Sequence, residues 1–118
     1  MTQTILIIDD ERSVRKTISA FLEQEGYNVT TAEGIEAARD LIPGADLVIS
    51  DIRMRDGNGI KFIEELKEQG FEKPVLLMSG ASNFAESERA IQLTEHPVIP
   101  KPVVFAGLLK LVKKVLRE

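Results

Sequence analysis

The chain has 118 residues, of which 43% are hydrophobic and 29% charged, with a net charge of −4 and no cysteine. These values are typical of one globular domain, predicted to span residues 1–118, and they exclude disulfides, thiolate zinc sites and cysteine nucleophiles. The acidic balance disfavours direct nucleic-acid binding, no apolar run predicts a membrane span, and the N-terminus lacks a signal peptide, so a cytoplasmic location is expected.

Strand and helix patterns alternate along the chain. Five strands are predicted. Continuous apolar runs, typical of strands covered on both faces, predict Thr4–Ile8 and Val75–Met78. The others are Tyr27–Ala32, Asp46–Ser50 and a short edge segment, Pro97–Pro100. Helical spacing predicts five helices: Val14–Leu22 with Gly26 as its stop, Ile35–Ile42, Ile60–Lys67 before Gly70, one that begins near Asn83 with a capping box, and Phe105–Leu116. This alternation predicts an α/β fold, a doubly wound parallel sheet with helices on both faces.

Polar side chains stand where these strands end. Asp9 and Asp10 follow the first strand, Asp51 the third and Ser79 the fourth, and Lys101 lies just past the fifth. The functional groups of such sheets gather beyond the carboxyl ends of the strands. We therefore expect these five side chains at one edge of the sheet.

Helix capping is the simplest alternative role for the acids. Asp9 or Asp10 could cap the helix that follows, but both cannot cap it. Asp51 comes too early for the third helix, whose natural cap is Asp56 or Asn58. The DGNG letters around these two residues suggest a hairpin turn, but the next stretch is helical, so a loop is predicted.

Three converging carboxylates need cations if all are to stay ionised. Mg²⁺ prefers oxygen ligands and commonly binds one or two carboxylates together with waters and phosphate. One Mg²⁺ and the Lys101 ammonium would neutralise the three acids. A carboxylate in such a site can act as a nucleophile and become an aspartyl phosphate, with the Ser79 hydroxyl as a donor to a phosphoryl oxygen.

Four segments in this order resemble the receiver domain of bacterial two-component response regulators, over essentially the whole chain. IIDDE carries the acidic pair, VISDIRMRDGNG the phosphoacceptor segment, LLMSG the hydroxyl residue and IPKP the lysine. The resemblance implies a flavodoxin-like strand order of 2-1-3-4-5. It also implies that Asp51 takes a phosphoryl group from a sensor histidine kinase or a phosphotransfer protein.

The resemblance also implies roles for individual residues. Asp10, Asp51 and the backbone carbonyl of Arg53 would bind Mg²⁺, and Asp9 would act largely through water. The Ser79 and Lys101 side chains would hold the phosphoryl oxygens. A cis Lys101–Pro102 bond is implied as well.

The same resemblance implies an output surface formed by the fourth helix, fifth strand and fifth helix, which would control an output domain, a target protein or a homodimer. DIRM resembles receivers attached to enhancer-binding ATPases, which points to transcription regulation. The basic cluster near the C-terminus is interpreted as a solvated outer face: Lys110, Lys113, Lys114 and Arg117.

Several positions depart from the family pattern. Arg55 replaces a usual proline, which predicts a less rigid loop after Asp51. Val98 replaces a usual aromatic residue whose ring reports the movement of the hydroxyl residue, so the fourth helix becomes the alternative reporter. Arg53 and Ala81 occupy positions that the family varies to set phosphoryl lifetime.

The remaining candidates are assigned ordinary roles. The thin apolar stripe of the fourth helix (Phe84, Ala90, Ile91 and Leu93) fits either a marginally packed surface helix or a switching element, and we favour the switch. His96 is interpreted as a loop residue, and Met54 and Met78 as packing residues.

Other functions fit the sequence less well. A haloacid-dehalogenase-type phosphatase needs a second aspartate where Arg53 stands, and a flavin-phosphate carrier would be repelled by the acids after the first strand. A receiver-shaped interaction module that does not switch remains the serious rival. The chain could be a stand-alone receiver or part of a longer regulator.

Overall fold

A parallel sheet in the order β2-β1-β3-β6-β7 forms the centre of the computed structural model, which describes residues 2–80 and 84–117, with backbone alone at residue 84. A separate two-stranded ribbon, β4-β5, lies beside it. The strands are β1 Thr4–Ile8, β2 Asn28–Ala32, β3 Leu47–Asp51, β4 Arg53–Met54, β5 Gly57–Asn58, β6 Val75–Ser79 and β7 Ile99–Pro100. Because β6 and β7 are the predicted fourth and fifth strands, the flavodoxin-like order 2-1-3-4-5 is confirmed.

Helices cover both faces of the sheet. Within the described residues they are α1 Arg12–Gln24, α2 Ile35–Ala38, α3 Gly59–Glu68, α4 Phe84–Thr94 and α5 Phe105–Leu116. The second is shorter than predicted, since a 3₁₀ helix, Arg39–Gly44, follows it and contains Pro43. Proline lacks the N–H that α-helical bonding requires, which explains the change. None of these helices has the length and apolar character needed to cross a membrane.

The core consists of two layers, one on each face of the sheet. Alternate side chains of a strand point to opposite faces. Ile5 and Ile7 pack in the layer that contains α1 and α5, whereas Leu6 and Ile8 pack in the layer that contains α2, α3 and α4. All four side chains are fully buried, and burying each one stabilises the folded state by about 1.5–3 kcal/mol relative to leaving it exposed. The sheet is thus a rigid frame for the residues at its carboxyl edge.

The segment after Asp51 contains a short antiparallel ribbon, so the loop predicted there is wrong. Arg53 pairs with Asn58 and Met54 with Gly57. The turn is formed by residues 55 and 56, two positions earlier than the DGNG letters suggested. The ribbon has only two residues per strand because α3 begins immediately after β5.

The fourth helix spans Phe84–Thr94. Its predicted first residues near Asn83, with the capping box, lie outside the described residues. Ala90 is fully buried, while Ile91 is 46% exposed and Leu93 is only partly buried. Among the stripe residues whose side chains are described, only Ala90 is therefore fully buried.

The last strand is shorter than the predicted Pro97–Pro100, since it spans only Ile99–Pro100, but its edge position and its flanks match the sequence-based expectations. β7 pairs only with β6 among the described strands, as an edge strand containing proline should. His96 lies in the segment that precedes β7, and the Lys101–Pro102 bond is cis. Both features are confirmed.

Residues assigned to packing or solvent also occupy the expected places. Met54 and Met78 are buried, and both belong to the hydrophobic core. The basic residues near the C-terminus are all exposed, which confirms the outer face: Lys110, Lys113, Lys114 and Arg117.

Candidate functional site

The register of the sheet carries Asp9 and Asp51 to the same edge. Ile8 of β1 pairs with Ser50 of β3, so each aspartate lies one residue beyond this pair. Both are buried, with Asp9 0% and Asp51 6% exposed. Two adjacent buried carboxylates repel each other unless a cation lies near them.

Ser79 and Lys101 reach this edge through the neighbouring strands. Asp51 pairs with Met78, which places Ser79 one residue further along β6. Ser79 in turn pairs with Pro100 of β7, and the backbone N–H of Lys101 donates to the Ser79 carbonyl at 3.0 Å. The sheet thereby aligns the hydroxyl residue and the lysine beside the aspartates.

The Lys101 ammonium is the cation between the acids. Its Nζ lies 2.7 Å from Oδ2 of Asp9, 2.8 Å from Oδ2 of Asp51 and 3.4 Å from Oε1 of Glu11. Burial acts to lower the pKa of Lys101, but the contacts with Asp51 and Asp9 outweigh burial and raise it. Lys101 is therefore a permanent positive charge at this edge.

The Asp51 carboxylate has a raised pKa. Burial is the main cause and the Asp9 charge adds to it, while the hydrogen bond from Lys101 acts in the opposite direction. Ionised Asp51 is thus held in a site that disfavours its charge, and Lys101 limits that penalty. A carboxylate in this state gains from any further cation placed beside it.

Asp9 is anchored from two sides. Its Oδ1 accepts a 2.8 Å hydrogen bond from the Glu11 backbone N–H, and its carbonyl accepts one of 2.7 Å from Arg15 Nη1. Oδ2 is buried and has no aligned hydrogen-bond donor, although it forms the ion pair with Lys101. The capping residue of α1 is Glu11, without a side-chain cap, so neither Asp9 nor Asp10 is the N-cap.

Asp10 is less buried and faces the ribbon. Its Oδ2 accepts a 2.9 Å hydrogen bond from the backbone N–H of Arg55, whose Nε lies 4.0 Å from the same oxygen. A proline at this position would have no N–H to donate. Arg55 was expected to make the loop after Asp51 less rigid, but its backbone N–H links this segment to Asp10.

The acids form a cluster whose chemistry suits a divalent metal site. One carboxylate oxygen from each of Asp9, Asp10 and Asp51 lies within 4.8 Å of the others. Opposite ligands of an octahedral Mg²⁺ are about 4 Å apart, since each Mg–O distance is about 2.1 Å. A hard cation with oxygen ligands fits this donor set.

The turn of the ribbon is fixed to its neighbours by helix caps. Asp56 accepts hydrogen bonds from the backbone N–H groups of Ile35 (3.0 Å) and Glu36 (3.2 Å) and so caps α2. A Cβ on Gly34 would overlap the Asp56 carboxylate. Asn58 caps α3, so of the two caps predicted for that helix, Asn58 fills the role and Asp56 serves a different helix.

Gly59 sets the backbone position of Asp51. A Cβ at Gly59 would collide with the carbonyl oxygen of Asp51, and the Gly59 N–H donates to the Ile52 carbonyl at 2.6 Å. The absence of a side chain allows α3 to begin directly against the end of β3. In the sequence, the signal for this close approach was a glycine eight residues after Asp51.

Two contacts near the site were not predicted. Glu11 contacts Lys101, and Arg53 Nη2 lies 3.2 Å from Oε2 of Glu86 on α4. The signal for Glu11 was its place directly after the acidic pair. No local pattern indicates the second contact, because its residues lie 33 positions apart. Ala81, the other position linked to phosphoryl lifetime, is outside the described residues.

Known sequences are similar to this chain. The family model for the response regulator receiver domain matches residues 5–113. The chain is 29% identical over 118 residues to the transcriptional regulatory protein CssR of Bacillus subtilis, covering 99% of this chain and 52% of CssR. It is 35% identical over 102 residues to the regulator of RpoS of Escherichia coli, covering 84% of this chain and 30% of that protein. The chain thus spans about half the length of these relatives or less.

Solved structures share the fold. The chemotaxis protein CheY4 of Vibrio cholerae has a TM-score of 0.88 at 24% identity, covering 98% of this chain and 99% of that one. A two-component response regulator from Clostridium difficile has a TM-score of 0.90 at 24% identity, covering 99% and 98%. At these identities the likeness is evidence for the architecture alone.

Proposed function

The chain belongs to the response regulator receiver domain family, and we propose that it is a phosphoacceptor switch in which Asp51 takes a phosphoryl group from a sensor histidine kinase or a phosphotransfer protein. The observation that carries this proposal is the contact set of Asp51. Its carboxylate touches the Lys101 ammonium at 2.8 Å and shares the sheet edge with Asp9 and Asp10.

The transfer is a displacement at phosphorus. A carboxylate oxygen of Asp51 attacks the phosphorus of a phosphohistidine, the P–N bond breaks, and its electron pair stays on the histidine nitrogen. The Lys101 ammonium offsets the charge on the phosphoryl oxygens, and the Ser79 hydroxyl donates to one of them. Hydrolysis of the aspartyl phosphate by water restores Asp51. The protein is a reactant in this cycle rather than an enzyme that turns over an external substrate.

We assign Mg²⁺ to the acidic edge. Asp10, Asp51 and the backbone carbonyl of Arg53 would hold it, with Asp9 acting largely through water. When bound, it would supply positive charge beside the transferring group. The close spacing of the three carboxylates supports this assignment.

The readout would use α4 with β7 and α5. Val98 has no ring that could change rotamer, and it packs partly buried against the core. The Arg53–Glu86 contact offers another link, because it joins the segment after Asp51 to α4. We propose that displacement of this segment reaches α4 through that pair.

The wider role follows from the relatives. Because those curated proteins are longer than this chain, we propose that the receiver controls an output domain or a target protein, in transcription for the CssR-like case. A homodimer through the readout surface is included in this proposal. We place the chain in the cytoplasm, without direct contact to nucleic acid or membrane.

Intact mass spectrometry with acetyl phosphate tests the switch. Wild type with Mg²⁺ should gain one phosphoryl group, and Asp51→Asn should gain none. Omitting Mg²⁺ should slow the gain strongly. No gain with either acetyl phosphate or a phosphorylated histidine kinase domain would favour the rival function, an interaction module that does not switch.

A further inference from the structure

Arg55 contacts Asp10, which is the one acid of the cluster Asp9, Asp10 and Asp51 with no described ion pair to Lys101. Among the described ion pairs, Lys101 contacts Asp9, Asp51 and Glu11, whereas the partner of Asp10 is Arg55. The Arg55 backbone N–H donates to Oδ2 of Asp10 at 2.9 Å. Oδ2 of Asp10 therefore has two partners from the same residue, the backbone N–H and the guanidinium of Arg55.

We propose that Arg55 weakens divalent-cation binding at the acidic edge by competing with the cation for the Asp10 carboxylate. This inference rests on the proposed function, in which Asp10 is a ligand of Mg²⁺. Arg55 itself does not touch the transferring group, so it acts as a positioning residue. Its effect is to raise the divalent-cation concentration at which the site is filled.

The N–H group is the stronger of the two competitors. A hydrogen bond to an ionised carboxylate is charge-assisted, and it occupies one of the acceptor positions of the Asp10 Oδ2 atom. Mg²⁺ demands near-ideal octahedral geometry, so it tolerates little displacement of an oxygen held elsewhere. A cation that approaches Oδ2 from the side of the Arg55 N–H would require the 2.9 Å hydrogen bond to lengthen or break.

The guanidinium adds a weaker effect through its charge. It lies 4.0 Å from Asp10, and its side chain is 89% exposed, so water and salt screen the interaction. A positive charge at this position still reduces the attraction of the acids for a second cation. The two effects therefore act in the same direction with different strength.

The turn permits a substitution that separates them. Arg55 is the first of the two residues between paired Met54 and Gly57, a position where turns favour proline. Met54 is extended, which is the conformation that a following proline requires. Arg55→Pro removes both the N–H and the guanidinium, and Arg55→Ala removes the guanidinium alone.

Isothermal titration with Mg²⁺, repeated with Mn²⁺, tests the competition on the metal-free full chain without a phosphodonor. Arg55→Ala should bind about two- to fivefold more tightly than wild type, as expected for loss of an exposed charge. Arg55→Pro should bind about tenfold more tightly or better, because a charge-assisted hydrogen bond is lost as well. Arg89→Ala, which removes an exposed arginine from its pair with Glu64, should bind as wild type does.

The outcomes distinguish a failure of this inference from a failure of the proposed function. Equal or weaker binding by both Arg55 variants, with folded spectra and normal wild-type binding, would overturn the competition alone. Absence of binding by wild type and by both variants would overturn the competition together with the Mg²⁺ assignment. Tighter binding by Arg55→Pro that Asp10→Asn abolishes would support both.

Discussion

The Lys101 ammonium donates a 2.8 Å hydrogen bond to the Asp51 carboxylate, fifty residues away in the sequence. Their side chains are only 13% and 9% exposed, so the pair lies in a site of low solvent access. Oδ2 of Asp9 approaches the same ammonium at 2.7 Å. One cation therefore balances two buried carboxylates, and the stability of this edge depends on it.

Replacing Lys101 should destabilise the fold. Lys101→Met leaves Asp9 and Asp51 buried without their cation, and breaking such a pair costs about 3 kcal/mol. We expect urea unfolding at pH 7 to show a loss of about this size. Lys113→Met on the exposed face of α5 should stay within about 0.5 kcal/mol of wild type. A Lys101→Met protein as stable as this control would show that the buried charges need no partner.

Asp51→Asn should stabilise the metal-free fold. Asp51 has a raised pKa in the folded protein, because burial and the Asp9 charge disfavour its ionised form. The folded protein therefore binds the Asp51 proton more tightly than the unfolded chain does. The stability that this proton contributes is fully present below the ordinary pKa of 3.8, and it is lost as pH rises through the folded pKa. Asparagine carries no charge at any pH.

The expected signature is a difference in stability that depends on pH. Urea unfolding in chelator-treated buffer should show Asp51→Asn more stable than wild type at pH 7. This difference should shrink as pH falls through the raised folded pKa of Asp51, and the part caused by the Asp51 charge should be absent below the ordinary value of 3.8. A difference that stays constant with pH, or a less stable variant at pH 7, would contradict the raised pKa.

Gly59→Ala should be strongly destabilising. The new Cβ would collide with the Asp51 carbonyl oxygen, so either α3 or the end of β3 must move, at a cost of about 2–4 kcal/mol. Gly107→Ala is the matched control, because Gly107 lies in α5 with no atom within 4 Å of the added Cβ. That substitution should stabilise the protein by about 0.5–1 kcal/mol. Thermal unfolding of the two variants should therefore shift in opposite directions; similar shifts would refute the close approach.

Asp56→Ala should destabilise α2. It removes the acceptors of two backbone N–H groups at the start of that helix, and loss of such a cap costs about 1 kcal/mol. Asp56→Asn keeps one acceptor oxygen and should lose less. Hydrogen exchange of the Ile35 and Glu36 amides, measured beside urea unfolding, should rise in the alanine variant. Unchanged exchange there would show that α2 does not depend on this cap.

The cap should also depend on pH. The backbone hydrogen bonds from Ile35 and Glu36 hold the pKa of Asp56 below its ordinary value. A carboxylate with a lowered pKa contributes stability above the unfolded value, and this contribution is lost as pH falls through the folded value. The stability advantage of wild type over Asp56→Asn should therefore shrink only below about pH 4, as urea unfolding across acidic pH would detect. An advantage that already disappears between pH 7 and pH 5 would contradict the lowered pKa.

The sequence predicted the sheet and the gathering of polar residues well because both depend on local signals. β1, β3 and β6 each contain a run of apolar residues that ends next to a polar residue. Parallel pairing then brings Asp9, Asp51 and Ser79 to one edge whatever the details of the loops. The position of a strand end was enough to place these side chains.

The contacts around the ribbon depend on long-range geometry and were not predictable. Asp10 and the Arg55 N–H lie 45 residues apart, and Asp56 lies 21 residues from the Ile35 amide that it caps. The sequence DGNG is typical of a hairpin turn, but the residues after it have a helical pattern. In the structure the turn lies earlier, at residues 55 and 56, and α3 follows the ribbon directly. Side-chain to backbone bonds of this kind leave no periodic pattern in the sequence.

The most direct test of the central claim is to locate the phosphoryl group on the chain. After incubation with acetyl phosphate and Mg²⁺, borohydride would reduce an acyl phosphate to the alcohol and release phosphate, which converts the modified aspartate to homoserine. Tryptic cleavage after Arg39 and Arg53 isolates residues 40–53, which contain Asp40, Asp46 and Asp51. Sequencing of this peptide by mass spectrometry should find homoserine at position 51 and aspartate at the other two. Homoserine at another position, or its absence from a phosphorylated protein, would contradict the assignment of Asp51 as the phosphoacceptor.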